Sequence, residues 1–297
     1  MTTSMEMIER SVEVGGLRLS IAEAGAGQRP LLLVHGFTGA KEDFTPWLSM
    51  LANSGWHAVA PDLRGHGLSP KPAAESAYTF RLFADDMLGL ADALEWDRFV
   101  LLGHSMGGMV AQFMACAAPA RLDGLILMDT SHRALDTLDP GLVDAAVSIV
   151  RNDGMAALAA ILAEQRGPLD TPANQRLLAE DPGYADFCDR KFLASSPAMY
   201  AAMAPAFISA ADRLESLREL PPELPVLVIV GEQDVPFRGP SALMAACVGR
   251  ASLAVISDAG HCPQFENSAE WWQALSGFLA SIADFGPSET VSLPARI

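Results

Sequence analysis

Short apolar runs alternate with longer segments of helical periodicity, and this alternation limits the fold more than any other feature of the sequence. Runs of this length without polar alternation are typical of strands buried on both faces. Strands separated by helices predict an α/β fold with a mostly parallel sheet. The central runs are rich in Leu, Val and Ile and lie at residues 31–34, 58–60, 99–102, 125–128 and 226–230.

Other patterns complete this prediction. Two runs at residues 11–14 and 17–23 surround a glycine pair, which is typical of an antiparallel hairpin. Residues 253–256 predict a last strand. Helical patterns lie between the strands, at residues 44–53, 80–94, 106–118, 241–248 and 269–283.

The alternation stops between residues 131 and 218. This segment is rich in Ala, Leu and Met, is interrupted by many prolines and glycines, and contains little strand pattern. We predict a core formed by residues 1–130 and 219–297, with a helical cap at residues 131–218. Residues 286–297 are polar and are predicted to form a loose tail.

The composition excludes several classes of function. The chain has 36 acidic and 20 basic residues, and its net charge of -16 has the wrong sign for binding nucleic acids or anionic membranes. It contains no uninterrupted apolar run of about 18 residues that could cross a bilayer. Residues 1–10 lack the apolar segment of a secretory signal. We therefore predict a cytoplasmic protein that binds no nucleic acid and does not insert into membranes.

Metal and cofactor motifs are also missing from the sequence. The four cysteines form no CxxC pair, and the six histidines do not have the spacing of a zinc site. Neither GxxxxGK[ST] nor GxGxxG, the glycine motifs of nucleotide binding, occurs. We predict reduced thiols, no metal and no cofactor.

A strand, a serine framed by glycines and a helix follow one another at residues 99–118. The strand leads into GHSMGG, in which Ser105 is the serine of a GxSxG motif. In this context the motif makes a sharp turn that exposes the hydroxyl above the sheet and beside a helix N-terminus. Gly103 and Gly107 supply the small residues that the turn needs. Ser105 is therefore a candidate nucleophile.

A serine nucleophile needs a base, and the base needs a carboxylate that orients it. Asp234 follows the strand at 226–230, and His261 follows the last strand. Both stand just after the carboxyl ends of strands, where open α/β sheets bind ligands. The backbone N–H groups of Phe37 and Met106 are the candidate donors of an oxyanion hole.

These landmarks resemble the α/β-hydrolase superfamily over residues 12–283. The resemblance implies an α/β-hydrolase fold with an eight-stranded, mostly parallel sheet and a helical lid inserted after the sixth strand. It also implies the chain order of nucleophile, acid and histidine found here. The matching stretches are HGFTG at 35–39, PDLRGHGLS at 61–69, GHSMGG at 103–108, GEQD at 231–234 and GH at 260–261.

Two other aspartates compete with Asp234 for the role of the acid. Asp129 follows the preceding strand, a place that some members of the superfamily use, and Asp258 is close to His261 in sequence. The chain order favours Asp234.

Neighbouring residues have structural roles in this interpretation. His35 is expected to support the oxyanion loop, and His104 is expected to pack near the site. Asp62 and Arg64 are expected to hold neighbouring loops, and Cys262 to be an apolar neighbour of the base.

We expect a serine hydrolase of the carboxylesterase type, acting on a small to medium-sized, largely apolar ester. The Ala-, Met- and Phe-rich cap favours such a substrate, because flexible apolar side chains desolvate hydrocarbon well. Lactone hydrolysis, perhydrolysis and a ligand sensor with slow turnover stay open on the same residues. A homodimer also stays open.

Hydrolysis of carbon–carbon bonds in aromatic ring-cleavage products is a further alternative. SMGG at 105–108, Gln264 and a cationic cap residue such as Arg190 resemble that class. Those enzymes usually carry Asn in place of His104 and Trp in place of Cys262, which weighs against it. The serine weighs against epoxide hydrolases and haloalkane dehalogenases, which use an aspartate nucleophile.

Overall fold

The computed structural model describes residues 6–27, 29–164 and 170–283. Eight strands form one sheet in the order β1-β2-β4-β3-β5-β6-β7-β8. β2 is antiparallel to β1 and β4, and the pairs from β4 to β8 are parallel, which confirms the predicted sheet. The strands are β1 (Ile8–Val14), β2 (Leu17–Ala24), β3 (Arg29–Val34), β4 (Trp56–Pro61), β5 (Phe99–His104), β6 (Leu122–Met128), β7 (Pro225–Gly231) and β8 (Arg250–Ile256).

Helices connect the strands as the sequence pattern predicts. The predicted tail at 286–297 lies outside the described residues. The helices are α1 (Thr45–Asn53), α2 (Phe80–Ala93), α3 (Met106–Ala117), α4 (Pro140–Leu162), α5 (Pro172–Glu180), α6 (Pro182–Leu193), α7 (Pro197–Ser209), α8 (Leu214–Arg218), α9 (Val235–Cys247), α10 (Pro263–Glu266) and α11 (Ser268–Ala283).

Each central strand contributes to two cores, because neighbouring side chains point to opposite faces of the sheet. In β3, Leu32 and Val34 pack on the face covered by α2, α3 and α9, whereas Leu31 and Leu33 pack on the face covered by α1 and α11. All four side chains are fully buried. This double burial explains the absence of polar alternation and gives a rigid sheet whose carboxyl edge carries the site.

The structure corrects the predicted start of one helix. α9 begins at Val235, rather than at residue 241. Pro236 lies in its first turn, where a backbone N–H has no helical partner in any case, and Pro240 lies inside the helix. The two prolines hid the helix from a prediction based on pattern.

Between β6 and β7 the described residues form five helices, α4 to α8. We call residues 131–218 the insert. α4 packs against α6 and α7, and its backbone breaks at Gly154, where φ is 83° and ψ is 179°. Use of the insert as a lid, and its exact boundaries, stay predictions.

Some helices of the insert are strongly apolar. α4 is long and apolar enough to cross a membrane by length and composition, with 22% of its most apolar window buried. α6 and α7 together pass the same test, although they meet at a bend of 98°.

Candidate active site

Ser105 lies at a strained turn between β5 and α3. Its φ of 53° and ψ of -117° are angles that serine rarely adopts. A Cβ on Gly103 would stand 2.3 Å from the Gly107 carbonyl oxygen, and one on Gly107 would stand 2.3 Å from that of Val34. The turn therefore requires both glycines. The Ser105 N–H also donates to the Met128 carbonyl at 2.9 Å, which fixes the turn to the end of β6.

His261 and Asp234 form a buried, hydrogen-bonded pair. His261 Nδ1 lies 2.8 Å from Asp234 Oδ2. Because a carboxylate oxygen only accepts, Nδ1 carries a proton, and in the neutral ring this leaves the lone pair on Nε2. Ser105 and His261 line one cavity, and in the described part of the chain the Ser105 hydroxyl makes no hydrogen bond to His261. Contacts between a nucleophile and its base often tighten only when substrate binds.

Hydrogen bonds connect the loops that carry the serine, the aspartate and the histidine. The Gln233 N–H, next to Asp234, donates to the Ala259 carbonyl at 2.8 Å. His104 Nε2 lies 2.7 Å from the His261 carbonyl oxygen and must donate to it. Burial lowers the pKa of His104 to about 3, so its ring is neutral. His104 has the predicted packing role and ties the nucleophile turn to the histidine loop.

Glu266 is a site residue that sequence reasoning missed. Its Oε2 accepts the N–H of Gly260 at 2.6 Å and that of Cys262 at 3.2 Å, on the two sides of His261. Burial raises the pKa of Glu266, and the two donated hydrogen bonds oppose that rise. No motif marks this glutamate, because only the short turn of α10 brings it back to the histidine.

The N–H groups of Phe37 and Met106 stay predicted oxyanion donors. Phe37 lines the cavity together with Ser105. Met106 is the first residue of α3, where no helical carbonyl is available for its N–H. Neither N–H donates a hydrogen bond to another group among the described residues.

His35 supports the loop that carries Phe37. Its Nε2 accepts the Leu63 N–H at 3.0 Å, so its Nδ1 carries the proton and donates to the Gly36 carbonyl at 2.8 Å. Burial lowers the pKa of His35, which keeps the ring in this neutral form. Asp62 also has the expected role, since its Oδ1 accepts the Lys41 N–H at 2.8 Å and its Oδ2 accepts the Leu68 N–H at 2.9 Å.

The structure separates the three candidate acids. Among the described carboxylates, Asp234 is the one bonded to the His261 ring. Asp258 is exposed and pairs with Arg176 of the insert. Asp129 is fully buried and accepts a backbone N–H from the end of β7 at 2.8 Å.

A cavity of about 690 Å³ lies above Ser105, between the edge of the sheet and the insert. Leu162 of α4 and Leu178 of α5 line it and are 44% and 39% exposed. Most of the remaining wall is apolar and includes Leu135, Leu138, Val143, Phe192, Tyr200 and Phe207.

Lys191 of α6 is the single Lys or Arg among the described residues of the cavity wall. Its ammonium group pairs with the carboxylate of Asp43 and lies 4.0 Å from the centroid of the Phe187 ring. Burial acts to raise the pKa of Asp43, but Lys191 lowers it below its usual value. Arg190, the cation expected at the site, is exposed and outside the wall, because adjacent residues of a helix point in different directions.

Replacing Lys191 with methionine is expected to destabilise the protein by about 3–5 kcal/mol, because the buried Asp43 carboxylate loses its counter-ion. Urea unfolding measures the change. Arg190→Met is the matched control, since removal of an exposed neighbouring charge should change stability by no more than about 0.5 kcal/mol. Equal losses in the two variants would contradict the structural importance of the ion pair.

Comparisons with known proteins agree with this architecture. The family model described as "alpha/beta hydrolase fold" matches residues 29–268. The chain is 30% identical to a 2-hydroxymuconate semialdehyde hydrolase of Pseudomonas sp. (strain CF600) over 286 residues, which cover 92% of this chain and 94% of the relative.

Two solved structures of similar fold are informative. A thermophilic esterase from Thermogutta terrifontis superposes with a TM-score of 0.77 and 28% identity, over 93% of this chain and 99% of that one. The enol-lactonase from Burkholderia xenovorans LB400 superposes with a TM-score of 0.78 at 23% identity, over 91% of this chain and 100% of that one, and this likeness concerns the fold alone. The chain belongs to the alpha/beta hydrolase family.

Proposed function

We propose that this hydrolase cleaves an uncharged, largely apolar carboxylic ester through an acyl-enzyme formed on Ser105. The observation that carries the proposal is the placement of the strained serine turn and the His261–Asp234 pair on one apolar cavity. A serine on such a turn needs only a neutral imidazole base and a pair of amide donors to attack an ester.

In the proposed reaction, His261 Nε2 takes the proton of Ser105 while Oγ attacks the ester carbonyl carbon. The N–H groups of Phe37 and Met106 stabilise the oxyanion, and the imidazolium then protonates the departing alcohol. Water, deprotonated by the same nitrogen, hydrolyses the acyl-enzyme. Asp234 holds the Nδ1 proton in place and stabilises the imidazolium.

The charges of the cavity wall support an uncharged substrate. The single Lys or Arg among the described residues of the wall, Lys191, is already paired with Asp43. A substrate carboxylate would therefore meet a cation that is already neutralised, on a chain with a net charge of -16.

Hydrolysis of a carbon–carbon bond is the second candidate, favoured by the similarity to the 2-hydroxymuconate semialdehyde hydrolase. The compound in the name of that relative is a carboxylate. A free cation in the cavity would favour such a substrate, but the basic residue of the described wall is already neutralised by Asp43. We therefore rank this candidate second.

A substrate panel tests the choice. We expect turnover of p-nitrophenyl butyrate and hexanoate. p-Nitrophenyl hydrogen succinate carries a carboxylate in place of the terminal methyl group of the butyrate. Its kcat/KM should be lower than that of the butyrate by a factor of about ten or more, because like charges cost more than 1 kcal/mol at short range. The panel also contains an uncharged lactone and a vinylogous 1,5-diketone acid. Cleavage of the diketone with no turnover of any ester would replace the ester proposal by the second candidate.

A further inference from the structure

Asp129 is a second buried carboxyl beside the His261–Asp234 pair. It follows β6 and is 0% exposed, whereas Asp234 follows the neighbouring strand, β7. One carboxylate oxygen of Asp129, one carboxylate oxygen of Asp234 and one ring nitrogen of His261 lie within 4.8 Å of one another. The proposed mechanism assigns Asp129 no role.

Each carboxyl has one oxygen with an evident partner and one without. Asp129 Oδ1 accepts the Gly231 N–H at 2.8 Å, and Asp234 Oδ2 accepts the His261 ring N–H at 2.8 Å. The other two oxygens, Asp129 Oδ2 and Asp234 Oδ1, are buried and have no donor among the described residues. Two ionised carboxylates would therefore leave two buried oxygens without a donor, on side chains that lie close to each other.

One proton satisfies both oxygens. A protonated carboxyl is a donor, and an O–H···O⁻ hydrogen bond between acid and carboxylate is strong. We propose that Asp129 is a positioning residue, protonated at neutral pH, whose carboxyl O–H donates to Asp234 and holds that carboxylate against His261. This inference rests on the proposed role of Asp234 in the reaction.

The surrounding charges place the proton on Asp129. Asp234 faces the His261 ring N–H, whereas the ionisable groups that act on Asp129 are the carboxyls of Asp234 and Glu266. Burial raises the pKa of Asp129 well above its usual range, and the charge of Asp234 and the hydrogen bond to it raise it further. The N–H donated by Gly231 acts in the opposite direction but is the weaker influence.

This arrangement has a defined effect on stability. The unfolded chain releases the Asp129 proton above pH roughly 4, whereas the folded protein keeps it. The contribution of Asp129 to stability is therefore complete below that pH and is lost as the pH rises toward the folded-state pKa. Asparagine does not titrate, can donate through its amide N–H and can accept the Gly231 N–H, so it avoids this loss.

The first experiment measures urea unfolding of wild type and Asp129→Asn from pH 5 to pH 9. The urea concentration at the midpoint of unfolding should become higher for the variant than for wild type by an amount that grows as the pH increases. Asp43→Asn is the control, because the pKa of Asp43 is lowered and its carboxylate is therefore ionised in the folded and the unfolded protein alike above about pH 5, so that the difference between this variant and wild type should not change from pH 5 to pH 9. A difference between Asp129→Asn and wild type that does not change with pH would overturn the assignment of the proton.

The second experiment uses activity. Asp129→Ala should lower kcat about tenfold or more with little change in KM, because the orienting hydrogen bond is lost. Asp129→Asn should recover most of that loss. We expect kcat of wild type to decline at alkaline pH as Asp129 loses its proton, and we expect no such decline in Asp129→Asn. If Asp129→Asn is as impaired as Asp129→Ala, Asp129 acts as an ionised acid and the proposal is wrong.

The two experiments separate this inference from the proposed function. Urea unfolding requires no substrate, so it tests the shared proton even if no ester in the panel is hydrolysed. Infrared difference spectra give a third, independent readout. Wild type at pH 7 should show the carbonyl band of a protonated carboxyl that is missing from Asp129→Asn, and the presence of this band in both proteins would exclude Asp129 as its source.

Discussion

Replacing Ser105 by alanine is expected to lower kcat for p-nitrophenyl ester hydrolysis by a factor of about 10⁴ to 10⁶. The variant keeps the cavity and the candidate amide donors but cannot form the acyl-enzyme, so only the background effect of binding and of the oxyanion donors remains. The rate of p-nitrophenol release at saturating ester measures the loss of kcat. A fluorophosphonate should label wild type at one site and should not label the variant.

The control for this variant is Ser209→Ala. Ser209 is an exposed serine at the end of α7 whose hydroxyl donates to the Pro205 carbonyl at 2.9 Å. Its removal should leave labelling and turnover unchanged. Full activity of Ser105→Ala, measured after circular dichroism has confirmed folding, would show that the nucleophile is a different residue.

Replacing Asp234 by asparagine is expected to lower kcat by a factor of about 10⁴, with a much smaller effect on KM. An asparagine amide can present its NH₂ group to His261 Nδ1, which forces the proton onto Nε2 and removes the base. Even when the amide is oriented correctly, the imidazolium loses its counter-charge. Steady-state kinetics with p-nitrophenyl butyrate measure the change.

The matched control is Asp258→Asn, on the same edge of the sheet. The Asp258 side chain is exposed, pairs with Arg176 and accepts a hydrogen bond from the Gln233 side chain at 2.9 Å, away from the His261 ring. We expect less than a threefold change in kcat, within the factor that about 0.5 kcal/mol corresponds to. If Asp129→Asn lowered kcat more than Asp234→Asn does, the role of the acid would belong to Asp129.

Much of the fold could be predicted because its sheet is buried on both faces. Residues 31–34 and 226–230 lack polar alternation, and the structure places them in β3 and β7, between two layers of helices. The order of Ser105, Asp234 and His261 could be predicted for a related reason. Each follows the carboxyl end of a strand, so a parallel sheet brings them to one edge.

Other parts of the site depend on side-chain directions that no local pattern encodes. Asp129 and Asp234 follow neighbouring strands, and only the three-dimensional structure determines which one points to His261. Lys191 and Asp43 are 148 positions apart and meet only because the insert folds back over the loop after β3. Arg190 and Lys191 cannot be distinguished by composition, although they lie on different faces of α6.

The ion pair between Lys191 and Asp43 also determines how the cavity can be reached. Lifting α6 from the core would leave a carboxylate in an apolar wall without its counter-ion, and this cost makes α6 a fixed part of the wall. Substrate is therefore expected to enter without movement of α6, for example past Leu162 and Leu178, which line the cavity and are partly exposed. On the proposed function, we expect the width of this entrance, rather than the volume of the cavity, to limit the size of the ester.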